Sequence, residues 1–287
     1  MQPRDATIPP ARDIADTLQR IAAALERLAP PDTGGDDPLG GEAFVWTGAQ
    51  LRTVPFPPVR PLELLLGIEA QKDALRENVT RHAKRLPAHD VLLWGARGMG
   101  KSALAKAVAA DLRDTGLALI EVARADIGTL PALFRRLGSL HRRFLLFCDD
   151  LSFEVDERDH KALRSVLEGG IEERPGNCRL IVTSNRRHLM PRSLADNEAA
   201  AAVNPRDTLD DKLALADRFG LSLGFHNCDQ ATYLAIVAGY AEAFDLPFDD
   251  KAALTWATGR GARSGRVAWH YTQEVAGRMG VELTPPS

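Results

Sequence analysis

The residues GARGMGKS, Gly95 to Ser102, fit the pattern GxxxxGK[ST] at every fixed position, and that pattern does phosphate chemistry. Glycines let the backbone curl so that successive N–H groups point inward at phosphate oxygens. A helix starting near Lys101 adds its positive dipole end. Gly95, Ala96, Arg97, Gly98, Met99, Gly100 and Ala103 belong to this cradle and its first helical turn, Lys101 reaches the β and γ phosphates, and the Ser102 hydroxyl is a magnesium ligand. A glycine-rich turn that matches by chance is the bland alternative.

A second segment argues against chance. RFLLFCDD places four apolar residues ahead of Asp149 and Asp150, at the C-terminal end of a buried strand, which is the edge where open α/β sheets bind ligands. Asp149 can hold magnesium through water. Asp150 stands where a second, ionised carboxylate orients and polarises an attacking water. Two aspartates can also simply end a strand, but a phosphate loop one strand earlier favours the chemical reading.

Elements that could position these groups are visible as short apolar runs: HDVLLWG (His89 to Gly95), LALIEV (Leu117 to Val122), FLLFC (Phe144 to Cys148), RLIVTS (Arg179 to Ser184) and LSLGF (Leu221 to Phe225). Five such runs separated by helical stretches predict a parallel sheet covered on both faces. A helix with Ile68, Leu75 and Val79 on its apolar side precedes them. After Phe225 the strands stop, and Tyr233, Val237, Tyr240 and Phe244 recur at helical spacing, followed by two more helices through Trp256 to Met279. The predicted organisation is an N-terminal amphipathic helix over 1–29, a flexible linker and strap over 30–60, an α/β nucleotide-binding core over 61–226 and a helical lid over 227–287. The first of these rests on Ile14, Leu18, Ile21, Leu25 and Leu28. The linker rests on PPDTGGDDPLGGE, and residues 43–60, with Phe44, Trp46, Val54 and Phe56 among prolines, read as an extended strap.

Composition narrows the class. At 45% hydrophobic and 26% charged residues over 287 positions, disorder as the main state is excluded. No apolar run reaches the roughly 18 residues needed to cross a bilayer, and the start MQPRDATIPPARD lacks a signal-like apolar centre, so the expectation is a cytoplasmic protein without membrane contact. Cys148, Cys178 and Cys228 are too scattered for a disulfide framework or a close-spaced zinc site and read as small buried residues. His188 has no His or Cys at metal-ligand spacing and reads as structural or surface. A formal charge of −3 gives no global pull toward nucleic acid. Arg135, Arg136, Arg142 and Arg143, with Arg186, Arg187 and Arg192, are a local candidate phosphate-binding patch, with ordinary exposed arginine as the alternative.

From about Leu62 onward the chain resembles the AAA+ branch of P-loop ATPases. The resemblance implies ATP and Mg2+ as cofactors and an α/β P-loop NTPase fold, a five-stranded parallel AAA+ core plus a small C-terminal helical lid. It also implies roles. Asn185, ending RLIVTSN, resembles the polar sensor that positions the hydrolytic water beside Asp150. Arg218, in DKLALADRFG, resembles the arginine finger that enters a neighbouring subunit's site, which implies a homo-oligomer. Arg263, in GRGARSGRVA, resembles the lid's sensor arginine, notably that of Clp-type unfoldases, with Arg266 three residues on as the alternative. More narrowly, GARGMGKS, CDDLSFE, TSNRRH, ADRFG and ARSGR in this order resemble an uncharacterised bacterial family of predicted AAA+ ATPases.

The departures bear on function. Most AAA+ members carry Glu where this chain has Asp150, one methylene shorter, which leaves slow turnover, a contribution from Glu154, or a switch that mainly binds ATP. ARADIGTLPALFRRL, Ala123 to Leu137, lacks the aromatic–apolar–Gly triplet of substrate-threading unfoldases. The expectation is an ATP-hydrolysing remodeller, loader or regulator of an unidentified macromolecular partner, resembling replication initiators and helicase loaders in its compact core. A nucleotide-gated binding module with negligible hydrolysis is the alternative, and a small-molecule P-loop kinase is a third reading that the lid and finger segments oppose.

Overall fold

The computed structural model describes residues 40–151, 163, 164, 166, 167, 174–185 and 217–283. The expected N-terminal helix, Glu154, His188 and Arg186, Arg187 and Arg192 lie outside them. Among the described residues, seven strands form one sheet in the order β2-β1-β4-β5-β6-β3-β7. They are β1 (Ala43–Trp46), β2 (Leu51–Val54), β3 (Val91–Gly95), β4 (Ala118–Val122), β5 (Phe144–Cys148), β6 (Cys178–Ser184) and β7 (Leu221–Phe225). The five expected runs are β3 to β7, and all their pairings are parallel.

The count differs from expectation by two. The segment read as a strap supplies a hairpin: β1 pairs parallel with β4, and β2 pairs antiparallel with β1. Four-residue strands among prolines are too short to show alternation, so sheet pairing was not legible there.

Each central strand feeds two cores because successive side chains face opposite ways. Val91 and Leu93 of β3, with Leu145 and Phe147 of β5, pack with the helices α1 (Glu69–Ala83) and α2 (Lys101–Asp111). Leu92, Trp94, Leu146 and Cys148 face the other core, with Leu133 and Leu137 of α3 (Leu130–Gly138). Burial on both faces explains why these strands read as unbroken apolar runs. The three cysteines are buried and form no disulfide.

Three helices follow β7: α4 (Gln230–Ala243), α5 (Asp250–Gly259) and α6 (Gly265–Met279). Side-chain caps start all three. Asp229 accepts from Thr232 N–H, Asp249 from Lys251 and Ala252 N–H, and Ser264 from Val267 N–H. The α4–α6 pair is cemented by Tyr240 and Phe244 against Trp269, with ring centroids 5.3 and 5.8 Å apart. At the N-terminal edge of the sheet, Arg174 and Asp90 form a two-pronged ion pair, one contact of which is 2.6 Å, and Asp90 also accepts Leu180 N–H at 2.7 Å. This cross-link fixes the start of β6 beside β3.

Candidate functional site

The loop after β3 reverses direction through three glycines with positive φ: Gly95 at 121°, Gly98 at 76° and Gly100 at 91°. Side chains would not fit two of them. A Cβ on Gly95 would lie 2.1 Å from Phe225 O, and one on Gly98 would lie 2.9 Å from Ser264 Oγ. Ala96 and Met99 are buried and anchor the loop, whereas Arg97 is exposed. Gly100 then opens α2 without any side-chain cap, so the helix's first N–H groups face the loop unclaimed by a side chain.

Lys101 is 5% exposed and donates from Nζ to Gly95 O at 2.9 Å and Ala96 O at 2.8 Å. An ammonium has three donors, so one remains. Burial lowers its pKa to about 8; Asp149 and Asp150 act to raise it, and Arg266 and Arg97 add to the lowering. A buried cation beside capless helical N–H groups is a site for an anion.

Opposite the loop, at the ends of β5 and β6, Asp149 Oδ1 accepts from Ser102 Oγ–H at 2.6 Å and from Thr183 Oγ1–H at 2.6 Å. Asn185 donates from Nδ2 to Asp150 Oδ1. Lys101, Ser102, Asp149, Asp150 and Asn185 therefore face one cavity of about 380 Å³, although they come from three strand ends. The hydroxyl and carboxylate pair of Ser102 and Asp149 is an oxygen donor set that fits magnesium.

The lid helix closes one side. Arg266 N–H donates to Gly98 O at 3.0 Å, and Arg266, Trp269 and His270 line the cavity. Arg263 does not. It lines a second cavity with Asn227, Cys228 and Gln230, and it acts electrostatically on Cys228 and Asp229. The reason is the cap: Ser264 is extended (φ −161°, ψ 161°) and α6 begins after it, so its first turn meets the loop while Arg263 precedes the turn. Between Arg263 and its alternative, the structure brings Arg266 to the phosphate loop.

Arg218 lies in the turn just before β7. β3 and β7 run parallel, with Leu221 opposite Val91 and Phe225 opposite Gly95, so Arg218 sits at the far edge from its own phosphate loop. A five-residue strand separates them by roughly 15 Å, beyond the reach of an arginine side chain. Arg142 and Arg143 from the candidate patch hold loops in place, donating to Gly116 O at 2.8 Å and Gly176 O at 2.7 Å respectively.

Sequence reasoning passed over Thr183 and the apolar end of the cavity. There Leu64, Leu65 and Ile68 meet Ile236, Tyr240 and Trp269, with the Arg60 guanidinium 4.3 Å from the Trp269 ring centroid. Such a surface suits a planar base. Its residues look like ordinary core in the sequence.

A family model described as "Protein of unknown function (DUF815)" matches residues 41–279. No curated protein matches. Among solved structures, the chain is similar to a variant of Thermotoga maritima RuvB, with a TM-score of 0.52 and 21% identity over 79% of this chain and 67% of that one. A second variant of the same protein gives 0.50 and 21%, over 77% and 67%. The fold described above matches the AAA+ fold of RuvB.

Proposed function

Because the chain belongs to the DUF815 family and has an AAA+ fold, we propose that it binds ATP with magnesium, hydrolyses it, and works in the cytoplasm as a homo-oligomer that remodels, loads or regulates a macromolecular partner. The observation that carries this reading is the convergence of Lys101, Ser102, Asp149, Asp150 and Asn185 on one cavity at the sheet's ligand-binding edge.

Each residue has a task. The Gly95 to Gly100 backbone cradles phosphate oxygens, and Lys101 turns from the Gly95 and Ala96 carbonyls toward the γ phosphate. Ser102 and Asp149 hold magnesium, which when bound neutralises charge on the β and γ phosphates. Asp150 keeps one carboxylate oxygen on Asn185 and offers the other to the attacking water. Arg266 brings the lid to the γ phosphate, and Arg218 acts on a neighbouring subunit's site, consistent with its place at the opposite edge of its own sheet. Domain limits at about 61–226 for the core, to which the hairpin over 43–54 adds two strands, and 227–287 for the lid follow from this division of labour.

A second reading has one specific support. Asp150 is a methylene shorter than glutamate and already hydrogen-bonded to Asn185, which suits a nucleotide-gated binding module with negligible turnover. Calorimetry with ATP and magnesium, beside a phosphate-release assay, tests both. Wild type should bind and turn over, Lys101→Ala should lose most affinity, and Asp150→Asn should bind normally yet lose about 10²-fold or more in rate. Binding with background phosphate release in the wild type selects the second reading. No binding at millimolar ATP, or unchanged binding in Lys101→Ala, refutes both.

A further inference from the structure

In a regular strand adjacent side chains point to opposite faces, so neighbouring aspartates could not both face one cavity if β5 simply continued. Both do face it. The β5–β6 ladder ends with Cys148 opposite Val182, and Asp150 takes a φ of 52°, in the left-handed region that residues other than glycine seldom adopt. Something must hold that turn.

Ser102 and Asn185 each give one hydrogen bond to a carboxylate of the turn, while both of its backbone hydrogen bonds to β6 end on one residue. Thr183 Oγ1 accepts Asp150 N–H at 2.8 Å, Thr183 O accepts Leu151 N–H at 2.8 Å, and the Thr183 hydroxyl donates to Asp149 Oδ1 at 2.6 Å. Thr183 is 2% exposed, on β6 between β5 and β3, so water has little room to substitute for it. A hydroxyl has one proton and two lone pairs. Here the proton goes to the carboxylate of Asp149 and a lone pair serves the amide of Asp150.

Resting on the nucleotide reading above, we propose that Thr183 is the positioning residue of the hydrolytic step: its single hydroxyl sets the metal-side carboxylate of Asp149 against the water-side carboxylate of Asp150. It acts through both aspartates and transfers no proton in the reaction. With Ser102 and Thr183 both donating to Oδ1, Asp149 would have Oδ2 left to serve magnesium. Thr183→Val keeps the shape and loses both hydroxyl bonds, whereas Thr183→Ser keeps both.

The experiment uses the full chain and three readouts: hydrogen exchange of the Asp150 amide without nucleotide, calorimetric affinity for ATP with and without magnesium, and turnover. Thr183→Val should raise Asp150 exchange by about tenfold, leave metal-free ATP affinity within about twofold, shrink the gain from magnesium, and lower kcat by about tenfold or more. Thr183→Ser should match wild type in all three. Thr183→Ala serves if the valine variant is misfolded by its melting curve. Wild-type exchange and kcat in the folded valine or alanine variant, or a serine variant as impaired as either, overturns the assignment. If wild type fails to bind ATP at all, the nucleotide reading falls, and the amide exchange still decides whether the Thr183 hydroxyl sets the turn.

Discussion

Lys101 makes ATP affinity a function of pH in a window set by its burial. Its pKa is pushed from 10.5 to about 8, with burial as the main cause. The lowered value means that the empty site holds a full positive charge only below about pH 8 and loses it as pH rises. A bound triphosphate adds negative charge beside the ammonium and draws the proton back. Affinity should therefore be level below about pH 8 and fall by up to about tenfold per unit above it, so that roughly one-tenth remains near pH 9. Calorimetric titration of metal-free ATP from about pH 7.5 to about pH 9.5 measures this, and buffers of differing ionisation enthalpy should show about half a proton taken up on binding at pH 8. Lys101→Arg cannot titrate in this range and should give a flat profile. A flat wild-type profile to pH 9.5, or the same slope in Lys101→Arg, would refute the argument.

Three further outcomes follow from the geometry. Arg218→Ala should cut turnover by about 10³-fold, and mixing it with Lys101→Ala should restore part of the rate, because each supplies what the other's neighbour lacks; a mixture as inactive as its parts contradicts action in trans. Gly98→Ala places a Cβ 2.9 Å from Ser264 Oγ and 3.1 Å from Arg266 Cβ at a φ of 76°, so it should lower thermal stability by about 1–2 kcal/mol and loosen ATP binding; wild-type values in both would count against the docked lid. His82 is 1% exposed, within 3.1 Å of Phe144 O, and burial lowers its pKa to about 4. The unfolded chain takes up this proton near pH 6.5 and the native one only near 4, so the contribution is full above about 6.5 and lost as pH falls, by about 3 kcal/mol in total. Denaturant unfolding should show wild type losing that much more than His82→Gln across the window, and parallel curves would exclude it.

What could be read from the sequence was what depends on neighbours along the chain. The phosphate loop is one continuous turn, so its pattern is local, and β3 and β5 are buried on both faces, which leaves unbroken apolar runs. Thr183 was illegible because its meaning lies 33 and 34 residues away, in contacts across the sheet. The choice between Arg263 and Arg266 turned on which side of the Ser264 cap each falls, a matter of one helical turn that spacing alone does not fix. Tyr240 and Trp269 looked like core residues because their rings do serve the lid's packing as well as lining the cavity.

The hairpin of β1 and β2 has a bearing on solubility. Without it, β4 would be the rim of the sheet, offering the unpaired N–H and C=O groups of five mostly apolar residues, ALIEV, to any passing chain. The rim is instead a four-residue strand, LRTV, which runs straight into Pro55, Pro57 and Pro58, residues with no amide hydrogen to share. Deleting residues up to 54 would uncover a template for fibrillar stacking while leaving every phosphate-binding group in the chain.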